Sequence, residues 1–134
     1  GSEQVCHMHG ELRNALCRSC GDTYPAHTDY DGSSTCASCG AHGGLRPDIV
    51  WFGEVPYHMD LIGERLARCD LFIAVGTSGV VYPAAGFVRE ARMAGAMTVE
   101  VNRELTEVTG YFDEQRQGTA TVEVERLVGE LLAG

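Results

Sequence analysis

The chain has 134 residues, the length of one ordinary domain, and 44% of them are hydrophobic, which is enough for a folded core. Its net charge of −9 combines ten arginines with nineteen carboxylates and no lysine. Because nucleic-acid affinity comes mostly from cations that neutralise phosphates, this charge argues against a nucleic-acid partner. No apolar run approaches the roughly 20 residues of a membrane-spanning helix, so we expect no membrane partner.

Two Cys-x-x-Cys pairs dominate the first third of the chain, which is otherwise rich in Gly, Ser, Asp and His. The pairs are Cys17 with Cys20 and Cys36 with Cys39, and fifteen residues separate them. Two such turns bring four thiolates to one metal ion and complete a tetrahedron with no open position. We therefore predict one structural zinc ion; a redox-active pair is the alternative, which the two paired motifs disfavour. Paired cysteines also favour a reducing compartment, so we expect a cytoplasmic protein.

Three histidines near these cysteines are candidates for chemistry. His27 and His42 could replace a metal ligand, but with four thiols available we expect both to be solvated. His9 precedes Gly10, upstream of the first pair. Its imidazole titrates near neutrality and can act as a general base, although a lone His-Gly pair is usually a turn.

Residues 45–134 are denser in aliphatic side chains and alternate between two hydrophobic patterns. Short apolar runs predict strands, and apolar residues at helical spacing predict helices. The predicted strands are Asp48–Gly53, Leu71–Val75 and Met97–Val101, and the predicted helices are Leu61–Cys69, Pro83–Ala94 and Val124–Leu132. Alternating strands and helices imply right-handed crossovers and a parallel sheet. We therefore expect an α/β fold with two domains, a metal-binding segment at 1–44 and the sheet at 45–134.

Polar and glycine residues follow two of the predicted strands. Ligands bind at the carboxyl ends of the strands in such sheets. The turn from Gly76 to Gly79, Gly-Thr-Ser-Gly, follows one strand and precedes a helix, which suits ribose or phosphate. Asn102 follows the next strand and could reach a ribose hydroxyl. Each feature by itself is also typical of an ordinary turn or cap.

Several motifs, in order from about Val5 to Leu132, resemble the sirtuins, and most closely the bacterial NAD-dependent protein deacylases of that family. The matching segments are Cys6–Leu12, the two cysteine pairs, Leu45–Glu54, Leu71–Ser78, Val81–Ala85 and Thr98–Asn102. The resemblance implies a Rossmann-type parallel sheet with a small four-cysteine zinc-ribbon module. It also implies NAD and zinc as cofactors and an acylated-lysine protein or peptide as substrate. The expected reaction removes the acyl group and yields nicotinamide and O-acyl-ADP-ribose.

The resemblance also implies a role for each matching residue. His9 would be the general base that acts on a ribose hydroxyl after the acyl oxygen has displaced nicotinamide, and the four cysteines would be the zinc ligands. The cofactor site would comprise Gly76, Thr77, Ser78, Asn102, Arg103, Glu104 and Ala120. The substrate peptide would add as a strand flanked by Val50, Trp51, Phe52, Gly53 and Glu54 on one side and Gly79, Val80, Val81 and Tyr82 on the other.

Two sirtuin motifs are missing from these 134 residues, a Gly-Ala-Gly-Ile-Ser loop that binds NAD and a Gln-Asn-Ile-Asp stretch of the nicotinamide pocket. In the family both precede the part that matches Val5. The chain thus resembles about the C-terminal half of the catalytic core, and an N-terminal sirtuin half is an expected partner. We expect the isolated chain to be inactive, to bind NAD weakly, and to self-associate or swap domains through an uncovered strand edge.

Two other functions remain open from the sequence. One is a zinc-ribbon binding module without catalysis, which the Gly-Thr-Ser turn, Asn102 and His9 together disfavour. The other is NAD-dependent ADP-ribosyl transfer or NAD hydrolysis, which would use the same residues with a different product. Product analysis with an acylated peptide would separate these reactions.

Overall fold

The computed structural model describes residues 2–134, and Gly1 lies outside the described residues. The chain divides into two compact units, Gly1–Met59 and Asp60–Gly134. The first contains an antiparallel sheet and the second a parallel sheet, each of three strands. This confirms the predicted α/β class with a parallel sheet and a separate cysteine-rich module. No helix of the described chain combines the length and the apolar character of a membrane span.

The sheet of the first unit consists of β1 (Gly10–Cys17), β2 (Thr23–Pro25) and β3 (Leu45–Ile49), in the order β2-β1-β3. The central strand β1 pairs antiparallel with both neighbours. Its last residues are buried, with Ala15 1% exposed and Cys17 fully buried. Because β1 ends at Cys17, the sheet anchors the first cysteine turn directly.

The prediction of a strand at Asp48–Gly53 is wrong both in the bounds of the strand and in the sheet to which the strand belongs. Strand β3 covers Leu45–Ile49 and pairs antiparallel with β1, with Ile49 opposite Gly10. The apolar run that suggested a covered strand is instead exposed, with Trp51 at 55% and Phe52 at 97%. The expected domain boundary between residues 44 and 45 therefore falls inside the first unit, because β3 belongs to the sheet of β1.

The second unit alternates strands and helices, as expected. Its elements are α1 (Met59–Leu66), β4 (Leu71–Val75), α2 (Phe87–Met93), β5 (Met97–Asn102), β6 (Glu114–Gln117) and α3 (Ala120–Ala133), with 3₁₀ turns at Ala84–Gly86 and Thr109–Tyr111. The sheet order is β4-β5-β6 and all pairings are parallel. The predicted strand Leu71–Val75 matches β4 residue for residue. The helix expected over Pro83–Ala94 is divided into a 3₁₀ turn and α2.

The centre of the second unit is β5, which carries four consecutive buried residues, Thr98 to Val101. Its apolar residues Val99 and Val101 are fully buried and pack with Leu127 of α3. Its polar residues bond across the unit: Thr98 bonds to Asp113 and Glu100 accepts the hydroxyl of Thr106. Both faces of β5 are thus covered, which fixes the position of Asn102 at its carboxyl end.

Candidate metal centre and cofactor cleft

The four sulfur atoms of Cys17, Cys20, Cys36 and Cys39 lie within 4.8 Å of one another. The Cys17–Cys39 and Cys20–Cys36 sulfur pairs are both 3.8 Å apart. With zinc–sulfur bonds of about 2.3 Å, a regular tetrahedron has sulfur–sulfur edges of about 3.8 Å. A disulfide is far shorter, at about 2.0 Å, and all four residues are free thiols. The residues present therefore fit one zinc ion bound through sulfur alone.

Both cysteine turns share one backbone conformation. The N–H of Gly21 donates to the carbonyl of Cys17 at 2.8 Å, and that of Gly40 donates to Cys36 at 2.9 Å. Both glycines have positive φ, +76° at Gly21 and +73° at Gly40, a region that favours residues without a side chain. The motif that builds this centre is therefore Cys-x-x-Cys-Gly, used twice.

The surroundings of the cysteine sulfurs shift the pKa values of three of these thiols in different directions. The N–H of Cys39 bonds to the sulfur of Cys36 and lowers the pKa of that thiol to about 6. The N–H of Cys20 likewise lowers the pKa of Cys17. At Cys20 an N–H of Asp22 acts in the same direction, but burial and the neighbouring thiols outweigh it and raise the pKa to about 12. Because metal ligands must be thiolates, a lowered thiol pKa favours metal binding.

The two histidines that could have replaced a cysteine as metal ligand lie outside the sulfur cluster. His27 and His42 are both exposed, and neither belongs to the group of atoms that could hold the metal. The ring of His42 bonds instead to the hydroxyl of Thr35, with 3.0 Å between Nδ1 and Oγ1. Within the described residues, sulfur is the only ligand type at this centre.

His9 stands at the start of β1 with an exposed side chain and a fixed backbone. Its carbonyl accepts the N–H of Val50 at 2.9 Å. At the next position, Gly10, a Cβ would lie 2.1 Å from the carbonyl oxygen of Asp48, and φ is +78°. Only glycine tolerates that approach, so the His9-Gly10 pair sets the backbone of His9 against the end of β3. The structure thus gives His9 an exposed side chain on a fixed backbone.

Residues 50–54 form a loop closed by one ion pair. The guanidinium of Arg46 donates to both carboxylate oxygens of Glu54, at 2.9 and 3.0 Å. The N–H of Trp51 also donates to Glu54, at 3.0 Å, and the Arg46 guanidinium lies 5.6 Å from the Trp51 ring centre. The Trp51 N–H and the Arg46 charge together lower the pKa of Glu54. This closure presents Trp51 and Phe52 to solvent.

The second unit contains an open cleft of about 410 Å³ at the carboxyl ends of β4 and β5. Four of its lining residues were predicted for the cofactor site, and they are Gly76, Asn102, Arg103 and Ala120. The remaining lining residues are Val101, Gly118, Thr119 and Thr121. The position expected for a ligand site, at the edge of the sheet where the strands end, thus contains a cleft.

The other residues predicted for the cofactor site lie around this cleft without lining it. The hydroxyl of Thr77 accepts the N–H of Gly79 at 3.3 Å, and Ser78 is exposed. Glu104 lines a smaller neighbouring pocket together with Asn102. Of the proposed peptide segment in this unit, Gly79 is buried, whereas Val80, Val81 and Tyr82 are 46–70% exposed.

Sequence reasoning missed Gly118, Thr119 and Thr121, which form the start of α3. Thr119 is the N-cap residue of α3, with extended φ and ψ of −77° and 140°. Its hydroxyl makes no capping hydrogen bond. A Gly-Thr pair ahead of an amphipathic helix is a recognisable N-terminal signal. Because the predicted helix began at Val124, this signal was not connected to the site.

A parallel α/β sheet with a cleft at its edge and a four-cysteine metal module define this chain as a metal-binding α/β protein. Residues 1–83 match a family model described as Sir2 family. An NAD-dependent protein deacylase of Vibrio cholerae is 49% identical over 133 residues, which cover 99% of this chain and 54% of that protein. The chain therefore belongs to the Sir2 family, the sirtuins, as the sequence motifs predicted.

Solved structures agree with this assignment. A crystal structure of a Sir2 homologue in complex with NAD is 32% identical with a TM-score of 0.87, and the match covers 99% of this chain and 53% of that chain. A Sir2–p53 peptide–NAD⁺ structure is 25% identical with a TM-score of 0.79, covering 100% of this chain and 58% of that chain. The chain thus spans about half the length of the relatives that it matches.

Proposed function

We propose that this chain supplies the zinc module, the general base and part of the cofactor site of an NAD-dependent protein-lysine deacylase. The observation that carries the proposal is the cleft at the carboxyl ends of β4 and β5, which gathers Gly76, Asn102, Arg103 and Ala120. This edge is where open α/β sheets bind nucleotides. Two findings on relatives support it: the Vibrio cholerae protein is an NAD-dependent protein deacylase, and a structurally similar Sir2 homologue forms a complex with NAD.

The residues of the cleft suit the adenosine half of NAD. Its volume of about 410 Å³ lies in the usual range of small-molecule sites, roughly 300–1,000 Å³. The hydroxyls of Thr119 and Thr121 and the amide of Asn102 can bond to ribose hydroxyls. Arg103 adds a cation for the anionic part of the cofactor. Thr77, Ser78 and Glu104 border the same region in our proposal.

When bound, NAD would supply a ribose carbon that the acyl oxygen of the substrate could attack as the bond to nicotinamide breaks. His9 would accept the proton of a ribose hydroxyl, whose oxygen could then attack the acyl carbon. The lysine amine would leave, and one water molecule would be consumed to give free lysine and O-acyl-ADP-ribose. The exposed imidazole and the fixed His9 backbone support this role. Zinc takes no part in the chemistry, since four thiolates fill its tetrahedral positions.

For the acyl-lysine peptide we propose two contact segments, Val50–Glu54 and Gly79–Tyr82. In the first unit, the segment Val50–Glu54 offers the exposed side chains of Trp51 and Phe52. In the second unit, the segment Gly79–Tyr82 offers the half-exposed Val80 and Val81. An extended peptide gains main-chain hydrogen bonds by adding as a strand, and exposed apolar side chains then bind alternate residues. The Sir2–p53 peptide–NAD⁺ structure supports a peptide substrate.

Product analysis tests this function. The 134-residue chain is joined to the portion of the Vibrio cholerae deacylase that it does not cover, and this hybrid is called the graft below. The graft is incubated with NAD and an acetyl-lysine peptide, and the products are identified by mass spectrometry. We expect nicotinamide, free lysine peptide and O-acetyl-ADP-ribose in equal amounts. ADP-ribosylated peptide would instead indicate ADP-ribosyl transfer. ADP-ribose with the peptide still acetylated would indicate NAD hydrolysis.

A further inference from the structure

The hydroxyl of Tyr24 is a buried donor without a partner. Tyr24 is the middle residue of β2, and its oxygen is inaccessible to solvent. Among residues 2–134, no group forms a hydrogen bond with that oxygen. Buried hydroxyls in folded proteins are almost always hydrogen-bonded, so an isolated one calls for an explanation.

The position of Tyr24 relative to the sulfur cluster gives that explanation. In the β1–β2 pairing Tyr24 lies opposite Ala15, so Tyr24, Ala15 and Cys17 share one face of the sheet. An aromatic side chain reaches its diagonal neighbour across such a pair. The Tyr24 hydroxyl lies close enough to the Cys36 side chain to interact with it.

The sulfur cluster needs donors on its buried side. Zn²⁺ with four thiolates carries a net charge of −2, and this charge lies inside an acidic chain. Cys20 and Cys39 are the exposed residues of the cluster. Cys17 and Cys36 are buried, at 0% and 1% exposure, so only protein groups can donate to them. An unpartnered donor thus stands next to a buried, negatively charged acceptor.

We propose that in the zinc-bound protein the O–H of Tyr24 donates a hydrogen bond to the sulfur of Cys36. Tyr24 is not a metal ligand in this proposal; it acts through Cys36. The hydrogen bond stabilises the thiolate and so opposes both its protonation and the loss of the metal. The proposal depends on zinc binding by the four cysteines.

The test compares Tyr24→Phe with the wild-type chain. Phenylalanine keeps the ring and removes only the hydroxyl, while Tyr30→Phe makes the same change at a partly buried tyrosine of the same module. Zinc affinity is measured by competition with a chromophoric chelator. We expect Tyr24→Phe to bind zinc about tenfold more weakly, within the usual range of about 10–100-fold for partners of metal ligands. Tyr30→Phe should match the wild type.

A spectroscopic readout separates this role from simple packing. In the cobalt-substituted protein, loss of a donor leaves the sulfur more electron-rich. The sulfur-to-cobalt charge-transfer band of Tyr24→Phe should therefore shift to longer wavelength, and that of Tyr30→Phe should not. Equal affinity and an unchanged band in Tyr24→Phe would overturn the proposal. A wild-type chain that bound no zinc would instead overturn the metal centre itself.

If Tyr24→Phe fails to fold, the wild-type protein provides a second test of the hydrogen bond. Loaded with ¹¹³Cd, it should show NMR scalar coupling between the Tyr24 hydroxyl proton and the metal, transmitted through the Cys36 sulfur. A hydroxyl proton that exchanges rapidly with water and shows no such coupling would contradict the hydrogen bond.

Discussion

The side-chain amide of Asn102 donates a hydrogen bond to the backbone carbonyl of Thr77, with 2.6 Å between the two atoms. Asn102 ends β5, and Thr77 lies in the turn that follows β4. The amide oxygen of Asn102 accepts the N–H of Arg103 at 3.0 Å, so both ends of the side chain are held. One residue thus joins the two turns at the mouth of the cleft and fixes their spacing.

Removing this link should weaken NAD binding. In the graft we expect Asn102→Ala to raise the KM for NAD about tenfold, equivalent to about 1.4 kcal/mol. The change removes the hydrogen bond to Thr77 and the proposed contact to the ribose. Gln117→Ala is the control, since Gln117 donates to the carbonyl of Arg103 but does not line the cleft. An unchanged KM in Asn102→Ala would remove Asn102 from the cofactor site.

The four cysteines should determine both the zinc content of the chain and the folding of the segment that contains them. We expect one zinc per chain, and we expect Cys36→Ala to lose it and to unfold residues 17–39, because three thiolates cannot complete the site. Cys6→Ala is the control, since Cys6 is an exposed thiol outside the cluster. Metal analysis gives the stoichiometry and hydrogen exchange gives the local order. A second zinc bound through His27 or His42, or no zinc at all, would refute this account.

Replacing His9 should lower the deacylation rate of the graft and leave its thermal stability nearly unchanged. In the graft we expect His9→Ala to lower the rate of deacylation about 10²–10⁴-fold, the usual contribution of a general base. His7→Ala serves as control, because His7 is also exposed and its ring lies 3.4 Å from the carboxylate of Glu11. Both variants should melt near the temperature of the unchanged graft. Full activity in His9→Ala would assign the base to another group.

The open edge of the parallel sheet predicts association of the isolated chain. Within the described residues β4 pairs on one side only, with β5, and its Ile73 and Val75 are 36% and 44% exposed. Unpaired strand edges beside apolar side chains pair with other chains, and charged residues prevent this. We expect dimers or larger species in sedimentation at micromolar concentration, and a shift toward monomer in Ile73→Lys. A single species near 14.4 kDa for the wild type would contradict the prediction.

Local patterns predicted the parts of the fold that local chemistry determines. The apolar run Leu71–Val75 predicted a strand, and that strand appears in the structure with the predicted bounds. The cysteine spacing specified the metal centre, since two short turns bring four sulfurs together without help from distant residues. Gly76 and Asn102 meet at one cleft because parallel strands end at the same edge.

Long-range pairing explains what the sequence did not reveal. Strand β6, Glu114–Gln117, consists of Glu, Gln, Arg and Gln. It joins the sheet through backbone hydrogen bonds, and its sequence has no apolar pattern that would predict a strand. The run from Ile49 to Phe52 looked like a covered strand, but the register of Gly10 with Ile49 places it at the end of an antiparallel pair. Both outcomes depend on partners distant in the chain, which hydrophobic periodicity does not report.

Turnover of an acetyl-lysine peptide decides whether this chain needs the missing sirtuin half for deacylation. The purified 134-residue chain and the graft are compared at equal concentration with saturating NAD, and O-acetyl-ADP-ribose is quantified. Because the glycine-rich loop and the nicotinamide pocket are not among these 134 residues, NAD should not be held in a reactive geometry by the chain alone. We predict product from the graft and none from the isolated chain. Turnover by the isolated chain, or a folded, zinc-loaded graft that leaves the peptide acetylated, would contradict the account.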